Sequence, residues 1–131
     1  MTAQEIVARV HEVLAMVDLT QAEHKFPAEL SGGMKKRVGL ARAIVLKARI
    51  LLCDEPTSGL DPIRSRDISD LIRRVAKKIG ATTVITSHDI DNSLRIADRL
   101  ILLNESRIVA VGTPEAMRAN TEGFVREFLR A

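Results

Sequence analysis

Residues 49–61 read RILLCDEPTSGLD, and this stretch decides the fold. It begins with a short continuous apolar run, Ile50 to Cys53, which is typical of a strand covered on both faces in a parallel sheet. Asp54 and Glu55 follow directly, where the strand runs out. Because ligands bind at the carboxyl edge of such a sheet, the two acids are candidates for phosphate and metal chemistry. Taken alone, an acid pair that begins a turn explains them equally well.

The residues that follow predict a helix and a second strand. Asp61 is a helix N-cap with proline at the next position, and apolar residues then recur at helical spacing until Gly80. Thr82 to Thr86 is β-branched and apolar, which predicts a second buried strand. The two strands would be parallel neighbours.

Local patterns predict the remaining elements. These are an opening helix over residues 6–17, a loop over 18–30, a helix over 34–46, a helix over 89–97, hairpin strands over 100–103 and 107–111, and short helices near 113 and 124–129. Strands and helices that alternate in this order predict an α/β fold.

Composition excludes several classes of protein. The 131 residues fit one domain, and the net charge of +3 is spread along the chain. With three Phe and no Trp or Tyr, the chain has little surface for stacking bases, which argues against single-stranded nucleic-acid binding. It shows no leader and no apolar stretch of the roughly 18 residues that a membrane span needs, so we expect neither secretion nor spanning. Cys53 is expected to be a small buried hydrophobe.

The basic residues of the two long helices are expected to solvate the outer helix faces, although a minor role in attracting phosphate stays open for the first three. They are Lys35, Lys36, Arg37, Arg64, Arg66, Arg73, Arg74, Lys77 and Lys78.

A glycine-rich segment precedes the first of these helices. Residues 30–44 read LSGGMKKRVGLARAI. Ser31, Gly32 and Gly33 would present a hydroxyl, backbone N–H groups and the positive end of the helix dipole, which together can hold a phosphate. An ordinary serine N-cap is the simpler explanation when this segment is considered by itself.

Two shorter segments complete the pattern. Ser58 to Asp61 read SGLD, which also fits a turn with a helix cap. Residues 83–89 read TVITSHD, and His88 lies just beyond the second strand, at the same sheet edge as Glu55 if the strands are parallel. A lone histidine there is usually an ordinary surface or core residue. The order of the four segments is what favours a functional role.

In that order, the segments resemble the nucleotide-binding subunit of an ABC transporter. Leu30 to Met34 resembles the family signature, Ile50 to Glu55 the Walker B strand with its catalytic glutamate, Ser58 to Asp61 the D-loop, and His88 the switch histidine. Met34 stands where the family usually has glutamine, which removes an amide donor.

The resemblance implies a role for each of these residues. Asp54 would serve Mg²⁺, usually through a water, and Glu55 would polarise the water that attacks ATP. His88 would contact the γ-phosphate. The signature, Ser31, Gly32, Gly33 and Met34, would hold the γ-phosphate of an ATP bound to the opposite subunit of a homodimer. Asp61 would link the two sites across that dimer.

The resemblance covers the second half of such a domain. A P-loop needs G-x-x-x-x-G-K-[ST], and the 131 residues contain no Gly-Lys pair. Residues 1–131 would therefore form one partial domain: 1–47 a helical-subdomain part, 48–112 a core and 113–131 C-terminal helices. We expect weak ATP binding and no hydrolysis by the chain alone. Without the P-loop strand, the flank around Leu51 and Leu52 would be bare and the chain would self-associate.

The leading hypothesis is an ATPase subunit that works at the cytoplasmic face of a membrane with a permease. Residues 29–34, ELSGGM, and the last 25 residues are similar to ATPases of MCE-type lipid transporters, so lipid transport and an MCE-domain partner are expected. Two alternatives remain open: a non-catalytic module that meets another protein's P-loop, and a soluble ABC protein that acts on ribosomes or DNA.

Overall fold

The acid-bearing stretch lies in the first of two compact units, residues 1–87, and a second unit begins at His88. The computed structural model describes residues 1–129. Strand β1 (Ile50–Asp54) pairs in parallel with β2 (Thr82–Thr86), and Asp54 is the register partner of Thr86. The predicted parallel α/β arrangement is confirmed.

Helix α3 (Pro62–Ile79) connects the two strands, as predicted. It begins at Asp61, whose side chain accepts hydrogen bonds from two backbone N–H groups of the first turn. It ends at Gly80, which adopts the left-handed conformation with φ of 69°. Glycine takes this conformation without the steric cost that a Cβ atom brings, so the sequence stops the helix where the chain turns back into β2.

Helices α1 (Ala3–Met16) and α2 (Gly32–Ile44) precede β1, with short 3₁₀ turns at Thr20–Ala22 and Pro27–Glu29 between them. The predicted loop over 18–30 therefore contains two helical turns. One apolar core joins α1, α2, β1 and α3, and its most buried members are Val13, Val17, Ile44, Leu51 and Val75. Cys53 packs at its edge, and burial raises the pKa of this thiol.

The expectation that both faces of the strands are covered was wrong. Successive strand residues point to opposite faces, and the core covers only the face that holds Leu51, which is 2% exposed. Ile50 is 63%, Leu52 79% and Val84 52% exposed. The predicted exposure of this strand is therefore confirmed for Leu52, whereas Leu51 is buried. An apolar run has no polar residue to mark its solvent face, so the sequence could not distinguish the buried face of the strand from the exposed one.

The apolar stripe of α1 is also only partly covered. Val13 and Val17 are buried in the core, whereas Ile6, Val7 and Val10 are exposed. The core therefore packs against the C-terminal half of α1.

Hydrogen bonds from three arginines tie distant segments of the first unit together. The guanidinium of Arg9 donates to the carbonyls of Val45 and Ile44, at 2.9 Å each, and so satisfies the C-terminal end of α2. Asp18 accepts from Arg74 at 2.7 Å and from Arg37 at 2.9 Å. The hydrogen bond from Arg74, followed by that from Arg37, lowers the pKa of Asp18. Arg37 and Arg74 thus hold a loop in place, contrary to the expectation that they only solvate helix faces.

The second unit contains α4 (Ile90–Ile96), the antiparallel hairpin β3 (Leu100–Asn104) and β4 (Arg107–Gly112), α5 (Pro114–Arg118) and α6 (Gly123–Phe128). Its core is formed by Leu94, Leu102, Met117 and Val125. The predicted hairpin and short helices are confirmed. Within residues 1–129, no helix has both the length and the apolar character needed to cross a bilayer.

Candidate active site

Asp54 ends β1 at the carboxyl edge of the two-stranded sheet, and its side chain is exposed there. The hydroxyl of Thr86, its register partner, donates to Asp54 Oδ1 at 2.5 Å. This bond fixes one carboxylate oxygen at the end of the neighbouring strand. The other oxygen of the carboxylate remains a possible acceptor for a metal-bound water.

Glu55 follows in the left-handed region, with φ of 44°. A non-glycine residue rarely adopts this conformation and persists in it when its surroundings hold it. The N–H of Glu55 donates to the backbone carbonyl and to the hydroxyl of Thr86, both at 3.2 Å. The carbonyl of Glu55 accepts from the N–H of Ser58 at 3.2 Å and from the ammonium of Lys36 at 3.4 Å. Both backbone groups of Glu55 are therefore held, by β2 on one side and by α2 on the other.

The glycine-rich segment forms the N-terminus of α2, which begins at Gly32, two residues before the predicted start at Met34. Ser31 is the N-cap, and its hydroxyl oxygen accepts from the N–H of Met34 at 3.3 Å. That contact uses an acceptor, so the hydroxyl hydrogen can still be donated to a phosphate oxygen. Gly33 has no atom within 4 Å of the place that a Cβ would take, which leaves its backbone open to approach. The side chain of Met34 packs against the core of the first unit, so this residue offers only its backbone.

The start of α2 also adjoins the loop after β1. A Cβ on Gly32 would lie 3.7 Å from Cδ2 of Leu60. The ammonium of Lys36, one turn further along α2, lies 3.3 Å from the hydroxyl of Ser58. The expectation that Lys36 simply solvates the helix was wrong, because it reaches across to this loop.

Asp61 closes the same loop as the N-cap of α3. Its Oδ1 atom accepts from the N–H groups of Ile63 and Arg64, at 3.1 and 3.0 Å, and its Oδ2 atom lies 3.3 Å from Arg64 Nε. The hydrogen bond from the Arg64 N–H is the main reason that the pKa of Asp61 is lowered. The local role as a cap is confirmed, and the link across a dimer stays a prediction.

His88 is exposed and lies two residues after β2, immediately before Asp89, the N-cap of α4. It belongs to the second unit, whereas Glu55 belongs to the first. Its contact with a γ-phosphate stays a prediction.

The donors present fit Mg²⁺ bound with a nucleotide better than Mg²⁺ bound by protein alone. Among the described residues, no group of three or more His, Cys, Asp or Glu side chains could hold a metal ion. Mg²⁺ commonly uses one or two carboxylates, waters and substrate phosphates. Asp54, exposed at the sheet edge, can supply that one carboxylate.

Sequence reasoning missed Thr86 and Lys36. Thr86 reads as an ordinary β-branched strand residue, and only its register opposite Asp54 shows its second role. Lys36 lies 19 positions from Glu55 in the chain, so no local pattern pairs them.

Comparison with known proteins finds a family whose members match this part of the chain. The profile of the family described as "ABC transporter" matches residues 2–58. These residues include Ser31, Asp54 and Glu55. The "Probable ribonucleotide transport ATP-binding protein mkl" of Mycobacterium tuberculosis is 46% identical over 125 residues, which are 95% of this chain and 35% of mkl. Over nearly its whole length, the chain is therefore similar to the ATP-binding subunits of ABC transporters.

Other ABC transporter ATP-binding proteins give the same result. The "Glycine betaine transport ATP-binding protein OpuAA" of Bacillus subtilis is 41% identical over 127 residues, which are 96% of this chain and 30% of OpuAA. The structure of cbiO1 from Clostridium perfringens, described as part of the ABC transporter complex cbiONQ, matches with a TM-score of 0.87 and 33% identity. It aligns with 99% of this chain and 52% of cbiO1.

The fold is therefore a partial P-loop-NTPase-like core, and the chain spans about a third of the length of these curated relatives.

Proposed function

We infer that this chain supplies the Walker B, signature and D-loop part of an ABC-type ATPase, which hydrolyses ATP to energise transport through a membrane permease. Glu55 orients or deprotonates the attacking water. Asp54 holds Mg²⁺, through a water, and Mg²⁺ supplies charge neutralisation on the phosphates. His88 contacts the γ-phosphate.

The arrangement around Glu55 carries this proposal. Its left-handed backbone is bonded on one side to the end of β2 and on the other to α2, the helix that begins with the signature. Positioning dominates the catalysis of phosphoryl transfer, because little covalent chemistry is left for the protein. A carboxylate whose backbone is held from two sides suits that task better than an acid in a simple turn.

The signature acts in a homodimer. Ser31 donates its hydroxyl hydrogen, and Gly32, Gly33 and Met34 supply backbone groups, to the γ-phosphate of ATP bound to the opposite subunit. The open space at Gly33 supports this role, since a phosphate can reach the backbone there. Asp61 connects the two sites across the dimer.

The 131 residues alone bind ATP weakly and do not hydrolyse it, because no Gly-Lys pair is available to build a P-loop. The test mixes the purified chain with a P-loop-bearing segment of a relative and measures phosphate release from ATP with and without Mg²⁺. We expect release from the mixture with Mg²⁺ and none from either part.

Each other outcome of this experiment has a definite meaning. ATP binding without hydrolysis would favour a non-catalytic module whose signature helix meets another protein's P-loop. Hydrolysis by the chain alone would contradict the proposed dependence on a P-loop.

Lipid is the proposed cargo, with an MCE-domain protein as a further partner and a position at the cytoplasmic face of the membrane. The similarity of residues 29–34 and of the last 25 residues to MCE-type transporter ATPases supports this. The names of mkl and OpuAA give ribonucleotide and glycine betaine, so similarity to these proteins does not select one cargo. ATP-dependent transfer of a fluorescent phospholipid by the complete transporter tests the proposal, with glycine betaine uptake as the contrasting result.

A further inference from the structure

We propose that Lys36 is a positioning residue that couples the signature helix to Glu55 and thereby links the phosphate-sensing segment of a subunit to its own catalytic loop. The catalytic part of this proposal rests on the function inferred above. The positioning part rests only on contacts within the first unit.

The contacts of Lys36 define the coupling. Its ammonium donates to the carbonyl of Glu55 at 3.4 Å and to the hydroxyl of Ser58 at 3.3 Å. It is partly buried, which strengthens a charge-assisted hydrogen bond relative to one in water. A single side chain of α2 thus contacts both ends of the turn formed by residues 55–58.

Backbone hydrogen bonds close the turns of this loop. The N–H of Ser58 donates to Glu55, and the N–H of Leu60 donates to Thr57, both at 3.2 Å. Glu55 and Gly59 both have positive φ, of 44° and 75°. Because glycine relieves the strain at only one of these two positions, contacts from outside the loop must hold Glu55 in place.

Lys36 lies on α2 close to the residue that would bind the phosphate. It lies five residues after Ser31, the helix cap that would meet the phosphate of the opposite subunit. A rigid shift of α2 on binding that phosphate would move the ammonium and, through it, the carbonyl of Glu55. Lys35, its neighbour, is exposed, and its side chain has no hydrogen bond or ion pair within residues 1–129.

Hydrogen exchange on the isolated 131-residue chain tests the positioning role, with Lys35→Met as the matched control. Methionine keeps the length and helix propensity of lysine and removes the ammonium. Lys36→Met should speed exchange of the Ser58 and Leu60 amides by about fivefold, the range expected for one lost hydrogen bond of modest strength. Lys35→Met should change neither amide by more than about twofold. Equal exchange in the two variants would overturn the proposal.

Two further variants keep the test decisive if Lys36→Met disturbs the whole fold. Lys36→Arg retains a donor and should restore exchange to within about twofold of the wild type. Ser58→Ala removes one of the two acceptors and should speed exchange at Leu60 by roughly twofold. No change in Ser58→Ala, together with no restoration by Lys36→Arg, would contradict the proposal.

Turnover in the mixture with a P-loop-bearing segment separates this proposal from the proposed function. Lys36→Met should lower kcat by about tenfold and leave KM for ATP within about twofold, because it displaces Glu55 without contacting ATP. An inactive wild-type mixture alongside the expected exchange result would refute the function and leave the positioning role standing. An active mixture that Lys36→Met leaves unaltered would refute the coupling to catalysis alone.

Discussion

The two ends of α2 make the same kind of contact for different purposes. At the C-terminal end, the guanidinium of Arg9 donates to the carbonyls of Ile44 and Val45. Near the N-terminal end, the ammonium of Lys36 donates to the carbonyl of Glu55. In each case a cation satisfies backbone carbonyl groups of another segment.

The two contacts differ in the segment to which the accepting carbonyl belongs. Ile44 and Val45 end a helix, where carbonyls have no intrahelical partner and a nearby cation is favourable. Glu55 is a left-handed residue with a candidate catalytic side chain. The contact of Arg9 therefore stabilises the scaffold, whereas that of Lys36 positions a reacting group. A hydrogen bond has to be judged by the segment that it holds.

Glu55→Gln should give the largest effect on turnover among changes near the contact between Lys36 and Glu55. In the mixture with a P-loop-bearing segment, we expect turnover to fall by about 10² to 10⁴, the range for loss of a general base. The free energy of unfolding should change little, because the amide keeps the size of the carboxylate. Phosphate release and urea unfolding measure the two quantities.

A matched control for this variant is Glu127→Gln, which removes the charge of an exposed glutamate in α6. Turnover within about twofold of the wild type is expected for the control. Equal losses in both variants would remove Glu55 from the catalytic role.

Arg9→Met should give the largest stability effect at the C-terminal end. The Arg9 side chain is only 10% exposed and makes both carbonyl contacts, so its loss should cost about 2 kcal/mol in the free energy of unfolding. Arg42→Met, on the exposed surface of the same helix, should cost less than about 0.5 kcal/mol. Urea unfolding of both variants measures the difference, and similar costs would contradict the assignment of Arg9 to the scaffold.

Asp18→Asn should give a smaller, pH-dependent effect in the loop that follows α1. Bonds from Arg74 and Arg37 lower the pKa of Asp18 in the folded state. A lowered folded pKa adds stability above the unfolded value, near 4, and this is lost as pH falls through the folded pKa. The side chain is 54% exposed, so solvent screening limits the contribution to about 0.5 kcal/mol.

Urea unfolding across acid pH measures this contribution. Wild type and Asp18→Asn should differ at about pH 6 and converge as the pH falls well below about 4. Asparagine tolerates the left-handed backbone that Asp18 adopts, with φ of 56°, so the comparison isolates the charge. A difference that stays constant over this range would exclude the ion pairs as its source.

The sequence predicted the elements of the fold because their signals are local. Asp61 and Gly80 mark the start and end of α3, and both boundaries are confirmed. Ser31 marks the start of α2 in the same way. The parallel pairing of β1 and β2, expected from their continuous apolar runs, is confirmed.

What the sequence could not predict depends on contacts between distant residues. Arg9 lies 35 positions from Ile44 and Lys36 lies 22 positions from Ser58, and a basic residue on a helix gives no sign of its partner. The exposure of Leu52 was equally hidden, since a continuous apolar run is the same on both faces of a strand. The acids of the site could be found from sequence, and the groups that hold them could not.

The division of roles along α2 is tested most directly by turnover per folded molecule in the mixture with a P-loop-bearing segment, for Lys36→Met and Arg9→Met side by side. We predict that Lys36→Met lowers this turnover by about tenfold, whereas Arg9→Met leaves it within about twofold of the wild type once its unfolded fraction is corrected for. Loss of turnover in Arg9→Met but not in Lys36→Met would contradict the account.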